Sequence, residues 1–344
     1  MRNIWKSKRF LIGFTYLVLL LASSFIYTWY FKDKIPEPKP LLYNDQGELI
    51  GKAPFSPSTV PPFGTDRFNI PLLNKVIEGA KFTILIALFI GFARVMLSMM
   101  LGALLSLYTK RLKGPLKAFN QVFHYIPTIF VACILIFPVY FTVKENELSV
   151  KPDMSLLIYQ IVVVILVVVP SLSVYISDEI DELMKKEFMI SSKLMGASRW
   201  HLISKHIRLQ FKDRLALLFM QHIIQTLILL THLALLHLII GGVQMKELSF
   251  GEIRPVSLSN EWSGLVGIHY FEVNLAPWVI LVPLGAFAIT IFFINLMALG
   301  MKDALDARPT VRVQAKKKEE KSMLSVKEQK AFTFANQEQS SRIS

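Results

Sequence analysis

From Leu11 to Tyr27 the chain runs without a single charged side chain, and five later stretches are similarly apolar, four of them without any charge. Apolar runs expected at about 10–31, 80–108, 118–142, 154–176, 215–240 and 276–300 each match the roughly 20 helical residues that cross a bilayer core. Inside lipid no water is available to satisfy backbone N–H and C=O groups, so each run must close its hydrogen bonds within itself as a helix. The sequence therefore predicts an all-α polytopic membrane protein with six transmembrane helices. Length alone would suggest two or three soluble domains. Composition overrules it: 53% of residues are hydrophobic and only 18% charged, against about 25% charged in soluble domains.

The net charge of +13 does not point to nucleic acid, because its placement is that of an orientation signal. Segments 1–9, 109–117, 177–214 and 301–344 hold 4, 4, 8 and 10 lysines and arginines, whereas 32–79, 143–153 and 241–275 hold 6, 2 and 2. By the positive-inside rule both termini and the 177–214 loop are expected in the cytoplasm of a cell-membrane protein. The start resembles a signal sequence, but its apolar run closes on Tyr27, Trp29, Tyr30 and Phe31 with no A-x-A site, so it reads as an uncleaved first span. The organisation expected is a first helix in 1–31, an external loop over 32–79, a five-helix core over 80–308 and a disordered cytoplasmic tail over 309–344. That tail, with its KKKEEK run, is a candidate for contact with anionic lipid.

Much chemistry is missing. There is no G-x-x-x-x-G-K-[ST] phosphate loop, no H-E-x-x-H, no G-x-S-x-G and no C-x-x-C. Cys133 is the single cysteine and lies in an apolar run, so it is expected as a small buried hydrophobe. His201 and His206, five apart, do not share a face of an α-helix, and no metal site is expected. The spans hold essentially no acids. These features exclude most catalytic classes.

Residues 187–207, EFMISSKLMGASRWHLISKHI, stand out as a polar, helix-like insert. Ile180, Leu183, Met184, Phe188, Ser191, Leu194 and Met195 follow helical spacing and predict one apolar or small-residue stripe. Gly196 suits the left-handed position that ends a helix, and Ser198 suits the N-cap of the next. Trp200, Ile203 and Ile207 continue an apolar face there. Helix, tight Gly-Ala-Ser turn, helix is the expectation. Such a segment is either an amphipathic connector on the membrane surface or a knob for a groove on a partner.

The same segment resembles the EAA loop of ABC-importer permeases, roughly E-x-x-E-A-A-x-x-x-G-A-S. Glu187, Gly196, Ala197 and Ser198 match, while Ile190, Ser191 and Ser192 replace the second glutamate and two alanines. Three further stretches are similar to the dipeptide/oligopeptide/nickel branch: PFGTDRFNIPLLNKVIEGA at 62–80, NEWSGLVG at 260–267, and the closing span at 277–308 ending DALDAR. The resemblance implies a type I permease fold, and within it the membrane subunit with a long first outer loop. It also implies a hetero-dimer with a second permease subunit, two cytoplasmic ATPase subunits and an external substrate-binding protein. Nucleotide and magnesium would sit on the ATPase partners, with no cofactor in this chain. Glu187, Ser191, Ser192, Gly196, Ala197 and Ser198 would form the ATPase-coupling element. Peptides are the default cargo; nickel or another small solute, or a signalling or assembly role without transport, are the alternatives.

Polar groups inside spans are costly and turn toward protein or water. Gln221, Gln225 and His232 fall within about 40° of one another on a helix of 100° per residue, with His222, Thr226 and His237 continuing that side. They line either a translocation path or a helix–helix contact. Arg94, mid-span, needs a partner: a substrate carboxylate in the path, or a neighbouring backbone carbonyl. His124 and Gln160 are lesser candidates of the same kind.

Overall fold

A computed structural model describes residues 4–32, 41–43, 49–146, 154–247 and 253–306. The tail expected at 309–344 and parts of the 32–79 loop lie outside the described residues. Five helical segments are long and apolar enough to cross a membrane: Lys8–Phe31, Leu72–Leu107, Met154–Met184, Lys205–Leu235 and Pro277–Leu305. A sixth apolar stretch, Thr128–Phe141, is shorter.

The first span is α1 (Lys8–Ile26), capped by the Ser7 hydroxyl and extended by a π-helical turn over Tyr27–Phe31. A small hairpin, β1 (Leu41–Tyr43) with β2 (Leu49–Lys52), follows. Then α2 (Leu72–Leu107) rises through the centre; its 36 residues cover about 54 Å at 1.5 Å each. The single span expected at 118–142 is divided instead into α3 (Lys110–His124) and α4 (Thr128–Asn146). Pro127 explains the division, since it disfavours helical backbone in the residue before it. What remains on the near side, α3, is a lysine-bearing amphipathic helix.

The next span is also divided. α5 (Met154–Leu166) gives way at Val167–Val168 to α6 (Val169–Met184), with Pro170 in the first turn of α6 where its missing N–H costs nothing. α6 runs eight residues past the expected boundary and draws Ser177 to Met184 out of the loop. Next come α7 (Glu187–Leu194), a single turn α8 (Arg199–His201), a π-helix over Leu202–Ile207 and α9 (Arg208–Leu235). An unforeseen hairpin, β3 (Val243–Glu247) with β4 (Ile253–Ser257), leads into α10 (Trp262–His269) and the last span α11 (Pro277–Asp306).

The core lies where α2, α9, α10 and α11 meet, around Ala80, Ile84, Ala87, Leu227, Trp262 and Phe287. Residues 62–80 and 260–267, far apart in sequence, close on each other here. A Cβ on Gly79 would lie 1.8 Å from the Asn260 carbonyl oxygen, so only glycine lets that loop cross α2. The Trp262 indole donates to the Val76 carbonyl (2.8 Å), and its backbone N–H to the Thr83 hydroxyl (2.9 Å). Gly64 takes φ +75°, and Asp66 accepts from the N–H groups of Phe68 and Ile70 while pairing with buried Lys75.

Candidate functional site: an apolar knob beneath a polar cleft

The turn between α7 and α8 follows its sequence closely. Gly196 has φ +83°, its N–H donates to the Lys193 carbonyl (2.9 Å), and the Ala197 N–H donates to the Ser192 carbonyl (3.1 Å). That pair of bonds is the Schellman ending of a helix. The Ser198 hydroxyl then accepts from the His201 N–H and starts the next turn.

The stripe expected from Ile180 through Met195 is not continuous. Ile180 and Leu183 are buried, but the chain leaves helix at Lys185–Lys186 and restarts out of phase. On α7 it is Met189 and Ser192 that turn inward, and the Ser192 hydroxyl meets His206 Nε2 at 3.3 Å. Glu187, Ser191 and Ser198 are exposed and Ala197 half-buried. Leu194 and Met195 stand 83% and 82% exposed beside exposed Phe188 and Ile190. This end of the molecule is a knob with an uncovered apolar tip.

His201 and His206 correct another expectation. The π-helix between them closes i to i+5, so residues five apart share a face and their ring centroids lie 5.8 Å apart. Among the described residues no group of three or more His, Cys, Asp or Glu is placed to hold a metal.

Above the knob a cleft of about 780 Å³ opens between α6, α9 and the start of α4. Gln221, Gln225, Ile228 and His232 line it from one exposed stripe of α9. Thr226 and His222 are buried on the flank, and His237 leaves the helix with φ +61° to stack on Phe271 at 5.2 Å. Hydrocarbon offers no partner to a glutamine amide, so this face is turned to water or to another chain. No carboxylate stands among the described residues of its wall.

Arg94 borders the cleft but is 0% exposed. Its Nε and Nη2 donate to the Val164 carbonyl (3.2 and 2.7 Å) and its Nη1 to the Thr226 hydroxyl (3.0 Å). Gln160 is likewise buried and donates to the Ile239 carbonyl (3.4 Å). The side chain of His124 lies outside the described residues. Two residues were missed in the sequence: Tyr175 on α6, which lines the lower end of the cleft, and Arg214 on α9, which bonds the Tyr175 hydroxyl (3.0 Å). The i, i+4, i+8 spacing of Ser171, Tyr175 and Glu179 was the available signal.

At the other end Glu261, 2% exposed, caps α10: its carboxylate accepts from the N–H and hydroxyl of Ser263 and from the N–H of Gly264. Complete burial pushes its carboxyl up to about 7, against the opposing pull of those donors.

A bundle of apolar helices with a polar cleft, and an apolar knob presented at one end, defines a multi-pass transport subunit. The chain belongs to the family described as binding-protein-dependent transport system inner membrane component, which matches residues 94–311; it is a membrane permease subunit of an ABC importer. It is 20% identical over 307 residues to the dipeptide transport system permease protein of Alkalihalophilus pseudofirmus, covering 89% of this chain and 88% of that one. A putative peptide transport system permease protein of Brucella suis is 22% identical, covering 89% of this chain and 90% of its own. The peptide transport system permease protein of Haemophilus influenzae is 23% identical over 270 residues, covering 77% and 82%.

Proposed function

We propose that this permease carries peptides inward and takes its driving motion from an ATPase subunit docked on α7. The observation that carries the reading is the pairing of an exposed apolar knob with a polar stripe on the helix that follows it. Leu194, Met195 and Phe188 offer a hydrophobic anchor for a groove, and the Schellman turn makes that anchor rigid enough to transmit force. ATP and magnesium belong to the ATPase partners. The lysine and arginine distribution supports a cytoplasmic α7 end and cytoplasmic termini, with α10 and the β3–β4 hairpin toward the external binding protein. The exposed stripe of Gln221, Gln225 and His232 pairs across the cleft with a second, non-identical permease subunit to complete the path. Amide and imidazole groups suit the backbone and termini of a peptide, and the names of the relatives agree with that cargo. On this reading 32–79 is the external loop, 80–308 the permease core with 177–214 as the coupling loop, and 309–344 a cytoplasmic tail.

The test is Gly196→Pro. Proline cannot adopt φ +83° and has no N–H for the Lys193 carbonyl. Uptake of a labelled dipeptide and binding-protein-stimulated ATP hydrolysis should both vanish while the subunit still inserts. Wild-type uptake by that variant would overturn the coupling assignment.

A further inference from the structure

Two cavities meet at Tyr175. The cleft beside Gln221 and Gln225 occupies about 780 Å³. A second cavity of about 640 Å³ opens below it and extends to Lys193 on α7. Tyr175 is the one lining residue the two have in common. Their chemistry differs across it. No carboxylate lines the upper cleft among the described residues, whereas Asp178, Glu179, Asp181 and Glu182 line the lower one.

The tyrosine is tied in place. Arg214 Nη2 donates to the Tyr175 hydroxyl (3.0 Å) and to a Glu179 carboxylate oxygen, and the guanidinium lies 5.9 Å from the Tyr175 ring centre. Tyr175 and Glu179 ride on α6, and Arg214 rides on α9. These are the two helices between which the α7 segment is strung. α6 runs unbroken from Tyr175 to Met184, one step from α7. The other strand of the segment enters α9 through the π-helix of 202–207, the kind of turn often found where a helix shifts at functional sites. Motion of α7 therefore shears α6 against α9, and the bonds of Arg214 to Tyr175 and Glu179 cross that shear plane. They are half-exposed at the arginine, hence weak and readily exchanged.

We infer that the Arg214–Tyr175–Glu179 clamp is the inner gate of the translocation path, closed in this structure and released when α7 moves. The inference rests on the reading of the cleft as that path. It is tested by cysteine accessibility in the assembled transporter, in everted membrane vesicles with Cys133→Ser as background. Gln225→Cys reports above the clamp and Glu182→Cys below it, with a charged maleimide added from the α7 side. Arg214→Ala should speed labelling of Gln225→Cys by about fivefold, the factor a weak ion pair sets on an open–closed equilibrium. Tyr175→Phe, which leaves the ion pair in place, should speed it by less. Glu182→Cys should react at one rate throughout. If Gln225→Cys reacts equally fast with the clamp intact or broken, the gate is wrong and the path stands. If Gln225→Cys is inert in every background and from both faces, path and gate fall together.

Discussion

The guanidinium of Arg94 grips the carbonyl oxygen of Val164 with two of its N–H groups, at 2.7 and 3.2 Å. The reason lies in the break between α5 and α6. The Val168 N–H, which would bond Val164 in a continuous helix, donates instead to the Ile165 carbonyl. Val164 is thus left with an orphan acceptor at a helix C-terminus, where a cation is also favoured by the helix dipole. Arg94 caps α5 and, through Thr226, ties α2 and α5 to α9.

Arg94→Met should therefore behave as a stability variant. Leaving a buried carbonyl unpaired costs about 2 kcal/mol, read as a lower thermal midpoint in detergent. Arg94→Lys, with one point donor in place of a fork, should recover only part of it. Full stability in Arg94→Met, with loss confined to uptake, would falsify the capping role.

Leu194→Asp with Met195→Asp should leave the subunit's insertion and melting unchanged, since both side chains already face solvent. On the proposed docking, co-purification of the ATPase subunit should be lost, because the knob would then carry the apolar contact. Retention of the ATPase on the doubly charged knob would move the docking surface elsewhere.

Glu261 should make stability fall as pH rises. Its carboxyl takes up a proton below about 7 when folded but only below its ordinary 4.5 when unfolded. Between those values the native state holds more protons, so stability is greatest at low pH and is lost as pH climbs through 7. The difference amounts to about 3 kcal/mol. Thermal melts of Glu261→Gln from pH 5 to 8 should lack that slope; an identical slope in the variant would assign it to other groups.

Asp66 and Lys75 form a buried pair, 0% and 4% exposed at their side chains. Lys75→Met strands the Asp66 charge and should cost about 3–5 kcal/mol, whereas Asp66→Asn added to it should recover much of that loss. Additive losses in the double variant, measured by denaturation, would mean the two charges do not depend on each other.

Gln221→Leu with Gln225→Leu tests the cleft. Both variants keep the helix and raise its hydropathy, so insertion should persist while peptide uptake falls at least about tenfold with the path's polar contacts gone. Undiminished uptake would turn the stripe into a plain subunit contact.

Local signals in the chain carried far. A turn such as Gly196–Ser198 is decided within a few residues, because the left-handed φ and the N-cap hydroxyl are properties of those residues alone. The apolar runs likewise need only their own backbone hydrogen bonds to become spans. The long-range pairings had no such local signature. Nothing in Asn260 announces that it will cross Gly79, and the break at Val168 that hands Val164 to Arg94 becomes meaningful only when α2 lies alongside. The stripe over Ile180–Met195 differs because the helix breaks at Lys185–Lys186 and α7 restarts out of phase. The π-helix that brings His201 to His206 likewise departs from the α-helical spacing assumed there.

By itself, then, the chain determined that it would be a helical membrane protein with a hinged knob at residues 187–207. Hydropathy and capping are additive along a sequence, so they can be read there. Only the tertiary structure decided that Arg94 would serve a carbonyl, that residues 62–80 and 260–267 would form one assembly, and that Arg214 would bond Tyr175 where two cavities meet. Those outcomes depend on which helix faces which, and packing settles that across the whole bundle at once.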